Sequence, residues 1–343
     1  MKKVLFIGGT GIISMAISRL LVEQGCELYL LNRGNRSDNG LPADKVNYIH
    51  CDIGDEEKAR ELLKDMQFDV VADFIAFVPE QLERDYRLFN GKTRQFIFIS
   101  SASAYQKPLS DYRITEGTPL SNPYWEYSRN KIACEDYLMQ RYREDGFPVT
   151  IIRPSHTYDE RSIPLGVHGD KGSWQVAKRM IEGEPVIIHG DGTSLWTMTH
   201  NSDFAKAFVG LMGNLHAIGE AVQITSDESL TWNQIYEAIA DALGVELKAV
   251  YAPSSFLAAT SDYDFEGGLI GDKANTVVFD NAKLKRLVPG FTASKRFDQG
   301  IKETIDYVLS HPEYQIEDPE FDQYCDRVVD ALAAAAEKVK TGA

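Results

Sequence analysis

The sequence predicts an α/β protein: a doubly wound parallel sheet carrying a smaller α/β lid domain. Two observations predict it. Short apolar runs alternate with helical patterns through the first half of the chain, and a glycine-rich turn, Gly8-Gly9-Thr10-Gly11, joins the first run to the first helix. Strand-helix alternation of this kind implies a parallel sheet covered on both faces, because the crossover helices lie on them.

In chain order, the apolar runs at residues 3–7, 28–31, 46–49, 70–75, 96–100 and 149–152 read as buried strands, and residues 12–24, 56–66, 80–89 and 127–144 as helices. Residues 1–165 are expected to form the nucleotide-binding domain, with a segment near 200–228 returning to it. After Pro154 the pattern loosens into a Gly/Pro-rich stretch at 162–172. A helix at 174–182, a strand at 185–189, a helix at 203–212, a strand at 221–225 and a helix at 231–243 follow. Residues 166–199 and 229–312 are assigned to the lid, and 313–343 to a C-terminal helical extension. In that extension Phe321, Tyr324, Val328, Leu332 and Val339 recur at helical spacing. The helix is expected to pack on its own lid, with dimerisation through it as the sharper alternative.

The chain has 343 residues, 43% hydrophobic and 25% charged, the composition of a soluble globular protein with a substantial core. Its net charge of −15 repels phosphate backbones, which argues against nucleic-acid binding as the main task but says nothing about small anions in a local pocket. Four cysteines, Cys26, Cys51, Cys134 and Cys325, have no CxxC pairing and no metal-ligand spacing, so reduced thiols in the cytoplasm are expected. Glycines interrupt the apolar run after Lys3 at once, leaving it too short for a signal-peptide core or a membrane span. His156, His168, His189 and His200 match no zinc spacing, and no metal is expected.

The turn has the form Gly8-x-x-Gly11-x-x-Ser14, directly after a strand and opening a helix. Gly8 allows the tight turn, and Gly11 lets the backbone approach a pyrophosphate at the positive helix end. Ser14 occupies the position where glycine eases helix-strand packing. Thr10, Ile12 and Ile13 complete this candidate cofactor contact. The second strand ends at Asn32-Arg33-Gly34-Asn35-Arg36. An acid there would bond a ribose 2′-hydroxyl. Asn32 lacks that charge, while Arg33 and Arg36 suit a phosphate; this tilts the cofactor, NAD(P), toward NADP over NAD. Asp52 and Ile53 after the third strand, and Phe74, Ile75 and Ala76 after the fourth, are further candidate cofactor contacts.

Tyr127 and Lys131 stand four residues apart, on one face of a helix. A free phenol has a pKa of about 10. The Lys131 ammonium is expected to lower it, so that Tyr127 exchanges protons with a substrate hydroxyl.

These motifs resemble those of extended short-chain dehydrogenases/reductases of the NAD-dependent epimerase/dehydratase type, over residues 3–309. The resemblance is carried by Gly8-Gly9-Thr10-Gly11, Ser100-Ser101-Ala102-Ser103-Ala104-Tyr105, Tyr127-x-x-x-Lys131 and Ile152-Arg153-Pro154. Gly190-Asp191-Gly192-Thr193 and Asp280-Asn281-Ala282-Lys283-Leu284 match as well. It implies a Rossmann-type domain in which Ser101 bonds the reacting oxygen and Tyr127 is the general acid/base. It further implies that Lys131 holds the nicotinamide ribose, with Pro154 and His156 in the loop along the nicotinamide. The implied activity is that of an NAD(P)-dependent oxidoreductase or epimerase acting on a hydroxyl or carbonyl of a sugar or sugar-nucleotide-like substrate. A non-catalytic NAD(P)- or RNA-binding protein on the same fold is the alternative. A homodimer formed through two helices, one of them bearing the Tyr-Lys pair, is also implied.

Three departures bear on the substrate. Ala102 and Ser103 stand where dehydratases of the family carry an Asp-Glu pair, so elimination of water is not expected. Trp196 replaces an arginine that usually meets a substrate diphosphate, and its indole suits stacking on a sugar or base face. Asp73-Phe74-Ile75-Ala76 replaces the usual His-Leu-Ala-Ala, and Asp73 is either a site acid or a hydrogen-bonded structural one. Ser103, His156, Arg161, Trp174 and Trp196 are the substrate candidates, with Tyr158 beside them.

Overall fold

The computed structural model describes residues 2–34 and 40–342. Seven strands build the central sheet: β1 (Lys3–Ile7), β2 (Glu27–Asn32), β3 (Val46–His50), β4 (Val70–Asp73), β5 (Phe96–Ile99), β6 (Val149–Pro154) and β7 (Ala221–Ile224). They lie in the order β7-β6-β5-β4-β1-β2-β3, every pair parallel. Side chains alternate between the faces. Val4 and Phe6 of β1 enter one apolar layer with helices α1 (Ile12–Glu23) and α6 (Asn201–Leu211), while Leu5 and Ile7 enter the other. That second layer lies under α2 (Glu56–Leu62), α3 (Pro79–Phe89) and α4 (Glu126–Asp145). The strand order reverses between β1 and β4, which opens a crevice at their carboxyl ends.

Two elements end earlier than the apolar pattern predicts. The fourth strand stops at Asp73, not at residue 75, because Asp73 Oδ1 accepts the N–H groups of Ile75 (2.6 Å) and Ala76 (2.8 Å) and bends the chain across the crevice. Helix α2 closes at Leu62 instead of residue 66.

The lid packs α5 (Trp174–Glu182), α7 (Trp232–Leu243), α8 (Ser254–Ala259) and α10 (Phe297–Ser310) around a separate apolar cluster centred on Trp232, Tyr236 and Ile301. Helix α9 (Ala282–Leu287) sits beside β7 instead. Short strand pairs lace the lid to the rest: Val278–Phe279 pairs with Arg113–Ile114, and Met198–His200 with His156–Tyr158. A π-helical segment, Glu266–Lys273, was not foreseen. Its glycines mask the helical signal, and one of them, Gly267, lies so close to Trp125 that an added Cβ would have to displace the indole.

The C-terminal helix α11 (Pro319–Thr341) buries Phe321, Tyr324 and Val328 in the lid core, with Leu332 half-covered. Val339, expected on the same stripe, is 85% exposed, because the alanine-rich turns before it offer no large apolar anchor. Among the described residues no helix is long and apolar enough to cross a membrane.

Candidate active site

The crevice beneath the glycine turn has a volume of about 680 Å³. Its walls include Gly8, Thr10, Gly11, Asn32, Arg33, Asp52, Ile53, Phe74 and Ile75. Gly8 and Gly9 have φ of 87° and 139°, and a Cβ on Gly9 would stand 2.5 Å from Leu30 Cδ2, so only glycine fits there. Ser18 Oγ donates to Gly9 O at 3.0 Å, and Ser14 Oγ accepts the Gly11 N–H at 2.9 Å; Ser14 therefore braces the turn as well as packing beneath it. The first turn of α1 carries no acidic residue, and a Cβ on Gly11 would meet nothing but Ser14 Oγ at 3.5 Å.

The opening therefore exposes uncapped N–H groups at the positive end of a helix. Around it Ile12 (38%), Ile75 (42%) and Phe77 (47%) leave apolar surface exposed, as rings of a bound dinucleotide would require. These features fit a pyrophosphate flanked by planar rings. At the crevice mouth Asn32 Oδ1 accepts the Gly34 N–H at 3.0 Å and Arg33 is exposed. Arg36 lies outside the described residues.

A second cavity, of about 390 Å³, is lined by Ile12, Ile13, Ser101, Ser103, Tyr127, Pro154, His156 and Trp196. It neighbours the crevice: Ile12 follows Gly11 directly, and the Phe77 ring of the crevice wall is 6.2 Å from that of Tyr127. Ser101 lies just beyond β5, capping the short Ala102–Ala104 turn, and Tyr127 is in the first turn of α4, so sheet and helix place the two side chains independently. Hydroxyls link them to the interior. Ser128 Oγ donates to Ser103 Oγ at 2.7 Å, Ser103 and Ser101 hydroxyls are 2.9 Å apart, and Ser101 Oγ accepts the Ser103 N–H at 3.1 Å.

The electrostatics differ from expectation at the Tyr-Lys pair. Lys131 Nζ donates to the carbonyls of Ala76 (2.7 Å) and Ile99 (2.8 Å), and it sits 5.7 Å from the Tyr127 ring centre. Burial pushes the Tyr127 phenol above its ordinary pKa, the Ser101 hydroxyl working the other way. Lys131 does not offset this, because its own burial brings the ammonium down to about 8. Neither Lys131 nor Ala76 lines either cavity; both are buried, and they are joined to each other behind the wall.

Of the substrate candidates, Ser103, His156 and Trp196 reach the cavity. Burial, reinforced by the Lys273 charge, pushes His156 down to about 3, so the ring is neutral. Trp196 is nearly covered, stacked on Trp232 with ring centres 5.7 Å apart, and presents only part of its surface. Arg161 does not arrive: its guanidinium is held by Asp159 Oδ2 at 2.5 and 2.8 Å. Trp174 packs against the lid core, and Tyr158 is buried against Phe297 and His200.

Lys107, Trp125, Asp272 and Lys273 also line the cavity, unanticipated from sequence. Asp272 and Lys273 end the π-helical segment, and no local pattern around any of the four residues marks a site. Asp73 is a structural acid shaping the Ile75 loop, buried beside Asp85, with Arg84 bridging them at 3.7 Å and 2.7 Å. Burial and the neighbouring Asp73 hold the Asp85 carboxyl well above its usual range. Among the described residues no three His, Cys, Asp or Glu side chains gather to hold a metal ion.

Comparison with known proteins agrees with this architecture. The chain is 24% identical to a 2′-dehydrokanamycin reductase of Streptomyces kanamyceticus, over 84% of this chain and 80% of that one. It is 27% identical to the chloroplast stem-loop binding protein of 41 kDa b from Arabidopsis thaliana, over 74% and 67%. A crystal structure of UDP-glucuronic acid 4-epimerase from Bacillus cereus in complex with NAD superposes with a TM-score of 0.71 at 18% identity, covering 90% of this chain and 99% of that one. The model of the NAD dependent epimerase/dehydratase family matches residues 4–225. The chain belongs to the NAD-dependent epimerase/dehydratase family, as an enzyme of the extended short-chain dehydrogenase/reductase type.

Proposed function

We propose that this enzyme moves a hydride between NADP and a hydroxyl- or carbonyl-bearing carbon of a sugar or sugar-nucleotide-like substrate. One observation carries the reading: Ser101 and Tyr127 share a cavity with Ile12, Ile13 and Pro154, beside the glycine-turn crevice. When bound, the nicotinamide supplies or accepts the hydride. Tyr127 donates a proton to the carbonyl oxygen or takes one from the hydroxyl, and Ser101 donates a hydrogen bond to the same oxygen. Burial keeps the phenol protonated at neutral pH, which sets the resting site for proton donation to a carbonyl.

Lys131 is buried behind the wall of both spaces, so its part in this reading is to position: its ammonium holds the Ala76 and Ile99 carbonyls, and with them the chain beside the cofactor crevice. Neutral His156 offers substrate hydroxyls one donor and one acceptor nitrogen. NADP is favoured over NAD because Asn32 carries no charge against a 2′-phosphate and Arg33 lines the same crevice. Ala102 and Ser103 line the cavity with no acid/base pair for elimination, which favours reduction or epimerisation. Relatives named as a dehydrokanamycin reductase and as UDP-glucose 4-epimerases support carbonyl chemistry on sugars. In this reading residues 1–165 with the segment near 200–228 hold the cofactor, and 166–199 with 229–312 cover the substrate. Four free cysteines support a reducing compartment, the cytoplasm. A homodimer through two helices, one of them the Tyr-Lys helix α4, completes the reading, with light scattering as its check.

The test is label transfer from 4-deuterated NADPH to a panel of keto-sugars and their UDP derivatives. Deuterium should appear at the former carbonyl carbon with the wild type and not with Tyr127→Phe; undiminished transfer by the variant overturns the assignment. A stoichiometric demand for NADPH marks a reductase, and a cofactor that co-purifies and is regenerated marks an epimerase. A second reading, RNA binding, is raised by the likeness to the stem-loop binding protein. The net charge of −15 opposes it, and retention of RNA on a filter that falls steeply across a salt series would revive it.

A further inference from the structure

The cavity beside the glycine-turn crevice carries an excess of one positive charge over negative in its lining. Three charged side chains line it: Lys107, Asp272 and Lys273. Asp272 and Lys273 form an ion pair at 3.8 Å, and Lys273 also lies 5.8 Å from the Trp125 ring centre. That leaves Lys107. It is only 4% exposed, yet among the described residues no hydrogen-bond acceptor or ion-pair partner reaches its ammonium, and Asp272 acts on it only at longer range. Its backbone is pinned: the Lys107 N–H donates to Ser121 O at 2.7 Å and the preceding Gln106 N–H to Pro119 O at 2.8 Å. An ammonium held at the cavity wall on a fixed backbone, with no protein acceptor, is left for a ligand or water to satisfy. The cavity also holds buried polar atoms without a partner: Ser155 Oγ, His156 Nδ1, Thr157 Oγ1 and Trp196 Nε1. At about 390 Å³ the space is at the small end of ligand pockets, which run roughly 300–1,000 Å³.

We propose that Lys107 is the anion-recognition residue of this cavity, and that the substrate is a sugar bearing a carboxylate or phosphate whose charge seats on Lys107 Nζ. The proposal rests on the hydride-transfer reading for what happens next, but not for binding. A charge-assisted hydrogen bond to a fixed ammonium completes its donor set, and the unpartnered hydroxyl, imidazole and indole atoms answer the hydroxyls of the ring. Asp272 limits the attraction, holding the lid-side cation to itself and leaving Lys107 as the free one.

The test is calorimetric titration of full-length, NADP-loaded protein with D-glucuronate, D-glucose 6-phosphate and neutral D-glucose. At least one anionic sugar should bind about tenfold or more tightly than glucose, and which one does so distinguishes carboxylate from phosphate. Lys107→Met should abolish the preference, Lys107→Arg should keep part of it, and Asp272→Asn should strengthen anion binding. Tyr127→Phe should keep the preference while losing label transfer, so the two proposals fail separately. Equal affinity for charged and neutral sugars, no binding of either anion, or a preference unchanged in Lys107→Met overturns the inference. If Lys107→Met loses NADP binding, and with it its fold, Asp272→Asn decides: weaker anion binding in that variant contradicts the proposal.

Discussion

The two adjoining spaces of this protein are built in different ways. The glycine-turn crevice is walled by the ends of β1, β2, β3 and β4, and its key contacts come from backbone that only certain residues allow. The neighbouring cavity is walled by side chains from segments as far apart as Ile12 and Phe279. Backbone-built sites leave a compact local signature in sequence. Side-chain-built sites are assembled by tertiary packing and leave a scattered one: Ser101, Tyr127 and His156 of this cavity stand in motifs, whereas Lys107, Trp125, Asp272 and Lys273 do not.

That contrast can be broken by mutation. The largest effect is expected at the junction of the two spaces: Tyr127→Phe should lower turnover by about a thousandfold, within the range for loss of a general acid, with NADP affinity unchanged by fluorescence titration. A matching loss of cofactor affinity would mean the ring positions the dinucleotide instead. Next, Gly9→Ala should destabilise the protein by roughly 1–3 kcal/mol in urea unfolding, because φ is +139° and Leu30 Cδ2 stands 2.5 Å from the new Cβ. A neutral effect there would show that the turn is less demanding than its backbone implies.

Arg33→Ser should weaken NADP binding by about tenfold and leave NAD untouched; equal loss for both cofactors would remove the preference for NADP. The smallest effect is in pH. Lys131 has its ammonium lowered to about 8, so its charge is present below that pH and lost as pH rises through it. Tyr127, raised by burial, stays protonated over the same interval. Carbonyl reduction should therefore decline several-fold above about pH 8, and a profile flat to pH 9.5 would separate Lys131 from the reaction.

The sheet was legible because its strands are near-continuous apolar runs, buried on both faces and punctuated by helices and glycines. The glycine turn was legible because its backbone requirements are local. At β4, where the apolar pattern overran the structure, a side chain had intervened: Asp73 halts the strand by accepting from the backbone ahead of it. Helix α4 buries a mixed face, Cys134 and Leu138 beside Ser128, Lys131 and Glu135, so its apolar stripe is weaker than that of a helix facing only the core. The electrostatics of that pair were not legible. Sequence puts Lys131 on the same face as Tyr127, but only the fold reveals the Ala76 and Ile99 carbonyls that take its N–H groups. Lys107, Asp272 and Lys273 left no trace for the same reason: only the fold brings Lys107 into one cavity with the Asp272–Lys273 pair, more than a hundred residues away.

A crystal structure of the enzyme with NADP bound tests the central claim most directly. The account predicts the pyrophosphate at the Gly8–Gly11 turn and the nicotinamide ring in the 390 Å³ cavity, facing Ser101 and Tyr127, with the 2′-phosphate at Arg33. A nicotinamide ring lodged outside that cavity, with Tyr127 turned away from it, would contradict the account.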